Sequence, residues 1–133
     1  EGIKIADFIT IHMPLNKDTM NLIEKDEFII MKENCILVNT ARGGIVNEID
    51  LLWALKNNEI RGAGLDVFKE EPPLKSNPLF ELDNIVLSPH NAALTLECRK
   101  RMAVESAENI VNFLINKSEL NYNNIVNKEN LSL

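Results

Sequence analysis

Arginine, glutamate and histidine are side chains suited to gripping a small organic acid and moving a proton on it. This chain sets one of each beside a glycine or proline. Arg42 precedes Gly43-Gly44, and Glu71 precedes Pro72-Pro73. His90 follows Pro89 and is one of only two histidines, the other being His12. A guanidinium makes two-pronged contact with a carboxylate, and glycines let a ligand approach the backbone closely. A carboxylate near an imidazole favours the imidazolium and raises its pKa. The three together suit proton exchange with a substrate hydroxyl or carbonyl. Each also has a plainer reading. Arg42 also reads as a surface arginine beside a turn, Glu71 as a solvated loop carboxylate and His90 as a satisfied loop histidine; Asp66, near the end of the third strand, also reads as a turn cap.

The elements that would hold these groups are readable from the pattern. Phe8 to His12 alternates with β-branched residues and reads as a strand. Glu24 to Lys32 reads as a short helix. Cys35 to Asn39 is an apolar run typical of a strand buried on both faces. Asn47 resembles an N-cap, with Asp50 completing a weak capping box. Leu51, Leu52 and Leu55 form the stripe of that helix, and Asn57-Asn58 ends it. Ala63 to Phe68 reads as a third strand, and Ile85 to Leu87 as a fourth. Pro72-Pro73 and Pro78 mark an irregular excursion between those two. Thr95 caps a long last helix, in which Ala103, Ala107, Ile110 and Leu114 build one buried face.

Alternation of this kind predicts βαβ units, an α/β fold and a mostly parallel sheet covered on both faces. Ligands of such sheets bind beyond the carboxyl ends of the strands. His12, Met13 and Pro14 follow the first strand, and Asn39 to Gly44 the second. Asp66, Glu70 and Glu71 attend the third, and His90 and Asn91 the fourth. The ionisable groups thus gather at one rim, each after a different strand.

Composition narrows the classes. The 133 residues fit one domain or a piece of a larger protein. Hydrophobic residues at 45% and charged residues at 26% exclude a disordered chain. The net charge of −6 argues against nucleic acid as a partner. No apolar run approaches the ~18 residues of a membrane span. Cys35 and Cys98 lie far apart, fit a reduced cytoplasmic protein, and Cys35 reads as a small core residue. Gly62-Ala63-Gly64 opens a strand and lacks the third glycine of the dinucleotide fingerprint, so it reads as tight packing. His12 and His90 have no further His or Cys at ligand spacing, so no metal is expected. No serine sits in a GxSxG elbow.

Four blocks carry a resemblance. They are Ala6 to Leu15 with Thr19, Val38 to Glu48 (Val-Asn-Thr-Ala-Arg-Gly-Gly-Ile-Val-Asn-Glu), Gly64 to Pro72, and Ser88 to Ala93. In this order and spacing they resemble the D-isomer-specific 2-hydroxyacid dehydrogenases, and within them the D-3-phosphoglycerate dehydrogenase-like branch. The resemblance spans about residues 5 to 117. It implies a Rossmann-like parallel sheet with flanking helices, incomplete because only the second half of the dinucleotide-binding domain is present. It divides the chain into residues 1–117 of that domain and a segment 118–133 returning towards a substrate domain. The cofactor implied is NAD, and the substrate a small 2-hydroxy or 2-keto acid. Arg42 would hold the substrate, His90 would be the acid/base, and Glu71 would orient His90 and keep it protonated. Met13, Pro14, Thr40, Ala41, Arg42, Asp66, His90, Asn91, Ala92 and Ala93 would line the cofactor, with Asp66 at its nicotinamide end.

The family's glycine-rich phosphate loop and ribose-reading acid would precede Glu1, so the chain reads as cut from a longer protein. The isolated segment is then expected neither to hold NAD tightly nor to turn over. Its parent would be a homodimer or larger homo-oligomer. For the parent the resemblance favours 3-phosphoglycerate first, glyoxylate or hydroxypyruvate second and D-lactate third. The alternative from another class is a corepressor-like protein that senses NAD(H) without catalysis.

Overall fold

The computed structural model describes residues 1–116, 119, 121–127 and 129. Two compact units form, 1–92 and 93–133. The first holds a one-turn helix α1 (Gly2–Ile5), then β1 (Phe8–Ile11), α2 (Lys25–Ile30), β2 (Ile36–Asn39), α3 (Glu48–Lys56), β3 (Gly62–Leu65) and β4 (Ile85–Leu87). A 3₁₀ turn, Pro78–Glu81, lies in the proline-rich excursion. The sheet order is β1-β2-β3-β4, and every pair is parallel. All four carboxyl ends therefore open on the same rim, as the alternation predicts.

Register explains which residues are buried. Ile9, Leu37, Ala63 and Ile85 form one row across the sheet, and Ile11, Asn39, Leu65 and Leu87 the next. This face joins Phe28 of α2 and Leu51, Ala54 and Leu55 of α3 in a single core with Cys35, Ile60 and Leu79. The opposite face stays more open: Phe8 is 73% and Val86 74% exposed, while Ile36 and Val38 are half-buried. The expectation that β2 is buried on both faces is corrected accordingly, because α2 and α3 serve the same face.

Local chemistry fixes the helix starts. The Asn47 side chain accepts from the Ile49 and Asp50 N–H groups at 3.1 and 3.2 Å. Asp50 does not complete a box with it; its Oδ2 accepts from Lys25 N–H at 3.2 Å and ties α3 to α2. The reach-back bond of a capping box occurs instead at α2, where Glu27 Oε2 accepts from Glu24 N–H at 3.1 Å. Lys25 lies 4.3 Å above the Trp53 ring and adds a cation–π contact between the same two helices.

The third strand is shorter than Ala63 to Phe68. After Leu65 the chain leaves the ladder, although Asp66, Val67 and Phe68 remain buried. Asp66 N–H still donates to the Asn39 carbonyl at 3.0 Å, while Val67 and Phe68 stay buried by packing.

The second unit holds α4 (Leu96–Leu114), capped by Thr95 Oγ1, which accepts from Cys98 N–H at 3.2 Å. The 4-3-4 spacing does form a helix, but no residue of α4 is buried, and Ile110 and Leu114 are 60% and 67% exposed. Among the described residues of its unit, the other named element is the short 3₁₀ turn Tyr122–Asn124, where Asn124 Nδ2 donates to Asn109 Oδ1 of α4 at 2.8 Å. Residues 117, 118, 120, 128 and 130–133 of the expected return segment and its junction lie outside the described residues. No helix among the described residues is long and apolar enough to cross a membrane.

Candidate functional site

The rim is built strand by strand. After β1, His12 stands exposed with its Nε2 2.8 Å from Thr10 Oγ1. Met13 and Pro14 follow, and Thr19 Oγ1 donates to the Pro14 carbonyl at 2.7 Å, which fixes the exit of the chain. After β2, the decisive residue is Asn39. It is 1% exposed, and its side chain is fully engaged with the next turn. Its Nδ2 donates to the Arg42 carbonyl at 2.9 Å, and its Oδ1 accepts from Ala41 N–H at 3.0 Å. That turn presents the exposed Arg42 side chain, which donates to the Ala41 carbonyl at 2.6 Å. His12, Met13, Pro14, Thr40, Ala41 and Arg42 line one open cavity of about 320 Å³.

Gly43 and Gly44 serve two different needs. Gly44 has φ +82°, the left-handed region that favours glycine. A Cβ on Gly43 would overlap the Phe68 carbonyl. The close approach at Gly43 is therefore made by the protein's own backbone, and not by a ligand as the glycine pair suggests.

After β3, the Asp66 carboxylate is 3% exposed and points at the turn that follows β4. Oδ1 accepts from the Ser88 hydroxyl and from Asn91 N–H, and Oδ2 accepts from Ala92 N–H at 2.9 Å. Burial pulls this carboxyl upward. The bonds from Ser88, Ala92 and Asn91 outweigh it and hold the carboxyl below its usual range. The turn so gripped contains His90, whose φ of +54° is uncommon outside glycine. Backbone strain of this kind persists only where the surroundings impose it. Here the residues on either side of His90 are held by Asp66, and its ring by Glu71.

Glu71 completes the arrangement. Its Oε2 lies 2.8 Å from His90 Nδ1, and its Oε1 accepts from Phe68 N–H at 2.9 Å. These two bonds, with the charges of His90 and Arg42, hold the Glu71 carboxyl below the ordinary range. An ionised Glu71 can only accept, so His90 Nδ1 carries the proton in this pair. Nε2 is then the ring nitrogen left for chemistry. Behind the pair, Phe68, Pro72, Pro73, Phe80, Leu87 and Pro89 line an apolar cavity of about 360 Å³ whose wall includes both side chains. Phe68 and Phe80 meet edge-to-face at 6.0 Å.

The structure thus brings His12, Met13, Pro14, Thr40, Ala41 and Arg42 to one part of the rim, and Glu71, His90, Asn91 and Ala92 to another. Asp66 lies beneath the rim. Ala93 opens the second unit of the chain. Asn39 and Ser88 stand in stretches that the sequence marks, but neither they nor the Phe68 backbone is assigned a role there, and all three carry the geometry. A lone polar residue ending a buried apolar run was the available signal for Asn39. Among the described residues, no group of three His, Cys, Asp or Glu side chains forms a metal centre.

Residues 1–92 match the family described as D-isomer specific 2-hydroxyacid dehydrogenase, NAD binding domain. The chain belongs to this family. A D-3-phosphoglycerate dehydrogenase of Methanocaldococcus jannaschii is 47% identical over 98% of the chain, which covers 24% of that protein. A glyoxylate reductase of Thermococcus litoralis is 45% identical over 98% of the chain and 38% of that protein. Among solved structures, D-lactate dehydrogenase with NAD+ from Lactobacillus jensenii superposes with a TM-score of 0.76. It is 32% identical, over 84% of this chain and 37% of that one. The chain therefore spans roughly a quarter to two fifths of the length of these family members. The family's NAD-binding fold is the parallel sheet described above.

Proposed function

We propose that this segment forms the nicotinamide side of the active site of an NAD-dependent D-2-hydroxyacid dehydrogenase, within a polypeptide carrying the further length its relatives have. The observation that supports this reading best is the Glu71–His90 pair, 2.8 Å apart, on the same rim as an exposed arginine. The nicotinamide, when bound, supplies the hydride that passes to or from C2 of the acid. Met13, Pro14 and Ala41 offer an apolar wall and Thr40 a polar edge beside Arg42, a fit for a flat ring that carries an amide. Arg42 holds the substrate carboxylate and so orients C2; such positioning supplies several kcal/mol of a barrier. His90 Nε2 exchanges the proton of the C2 oxygen. Glu71 fixes the tautomer and stabilises the imidazolium formed during 2-hydroxy-acid oxidation. Asp66 acts from below, by holding the turn on which His90 stands. Asn91 and Ala92 supply backbone along the cofactor.

Within this class the substrate is 3-phosphoglycerate, with phosphohydroxypyruvate in the reverse direction. The M. jannaschii relative supports that choice. Glyoxylate is the second reading, favoured by the T. litoralis relative at nearly equal identity.

The test is NADH oxidation by the longer protein with phosphohydroxypyruvate, glyoxylate and pyruvate in parallel. Turnover with one keto acid identifies the substrate. His90→Ala is expected to lower kcat by about 10²–10⁴ with NADH affinity almost unchanged. Arg42→Ala is expected to raise KM steeply and lower kcat as well. Full turnover in His90→Ala would overturn the mechanism. A folded protein that binds NADH but reduces none of the three acids would move the reading to an NAD(H) sensor.

A further inference from the structure

The Phe68–Lys69 peptide is gripped from two sides. Its carbonyl packs against Gly43, where no Cβ fits. Its N–H, on Lys69, is bonded to Glu48 Oε1. One residue earlier, Phe68 N–H holds Glu71 Oε1 at 2.9 Å, and this leaves Oε2 for His90 Nδ1. Glu48 is half-buried, opens α3, and stands just after the loop that presents Arg42. We infer that Glu48 is a positioning residue: it sets the Phe68–Lys69 peptide so that Glu71 is aimed at His90. The inference rests on the proposed function for its catalytic meaning, but its geometry belongs to the segment alone.

A plainer role is available to Glu48, since an acidic residue at a helix N-terminus is stabilised by the helix dipole. The two roles respond differently to substitution. Glutamine keeps the accepting oxygen and loses the charge, whereas alanine loses both.

The experiment is amide NMR and hydrogen exchange on the 133-residue chain, its Glu48→Ala variant and its Glu48→Gln variant. The amides of Leu37 and Leu55 report whether the core stays folded. In Glu48→Ala the Lys69 amide loses its acceptor, and the Phe68 amide proton is expected to move upfield and exchange about tenfold faster, as a weakened charge-assisted bond to Glu71 would give. Glu48→Gln is expected to restore both towards the unsubstituted chain. An unchanged Phe68 amide in Glu48→Ala, or Gln and Ala behaving alike there, would overturn the inference and leave Glu48 to the helix dipole.

In the longer protein, Glu48→Ala is expected to lower kcat with little change in KM, and Glu48→Gln to recover most of it. If the amide responds as expected but the unsubstituted protein reduces no keto acid, the proposed function fails and the positioning stands.

Discussion

Asp66 carries more of the site's geometry than any side chain on its surface. It is buried and accepts from one hydroxyl and two backbone N–H groups, all more than twenty residues along the chain. Asp66→Ala is expected to cost about 3 kcal/mol of stability, because buried bonds to a charged acceptor are lost together. The pH dependence has a definite sign. The Asp66 and Glu71 carboxyls both lie lower in the folded chain than in the unfolded one. Each therefore adds stability that is fully present above the unfolded carboxylate range, about pH 3.9–4.3. That stability is lost as pH falls through the folded values. Urea midpoints between pH 7 and pH 3 are expected to fall more steeply for the unsubstituted chain than for Asp66→Asn. Arg42, Glu71 and His90 were legible in the sequence because each follows a strand and flanks Gly or Pro. The task of Asp66 was not, because accepting backbone N–H groups from a distant turn leaves no trace in local residue type.

The elements were legible where a local period or cap writes them. All four strands, both amphipathic helices and the Asn47 and Thr95 caps appear near their expected places. Two of the errors come from reading burial or pairing from composition; two others are local, since the one-turn α1 carries no pattern that announces it and Asp50 ties α3 to α2 in place of a capping box. Asp66 to Phe68 looked like strand because they are buried, and α4 looked buried because it is amphipathic. The Gly43 contact is likewise invisible in sequence, since its partner lies some 25 residues on. It gives a sharp test. Gly43→Ala must push the Phe68–Lys69 backbone and is expected to destabilise by about 1–3 kcal/mol. Gly44→Ala meets only the side chain of Leu15 at 3.8 Å, and its cost is the conformational one, about 1–2 kcal/mol. Urea unfolding measures both. The Glu71-dependent shift of the Phe68 amide should change only in the first. Equal effects on that amide would show that the two loops are not coupled through Gly43.

For the molecule as a whole, each strand is laid beside the one before it, and the crossovers between β1, β2 and β3 run through helices on one face. The core of the first unit thus gathers from Ile11 to Leu79 in chain order. The sequence announced this through its alternation of strand and helix. It could not announce how the two faces of the sheet differ, because Ile36 and Val38 are as apolar as Leu37. Exposure follows from where the helices land.

The burial of Cys35 makes the molecule its own stopwatch. The thiol is 0% exposed, beside the start of β2, and burial pushes its pKa up. A thiol reagent meets it only when the sheet parts, whereas Cys98 is half-buried. In a Cys98→Ser chain the labelling of Cys35 is expected to be at least a hundredfold slower than that of an unfolded-chain thiol, and to quicken steadily with urea. Labelling at the unfolded-chain rate would mean that the sheet stands open much of the time. Otherwise the rate counts, without any optical probe, how often the core around Cys35 opens.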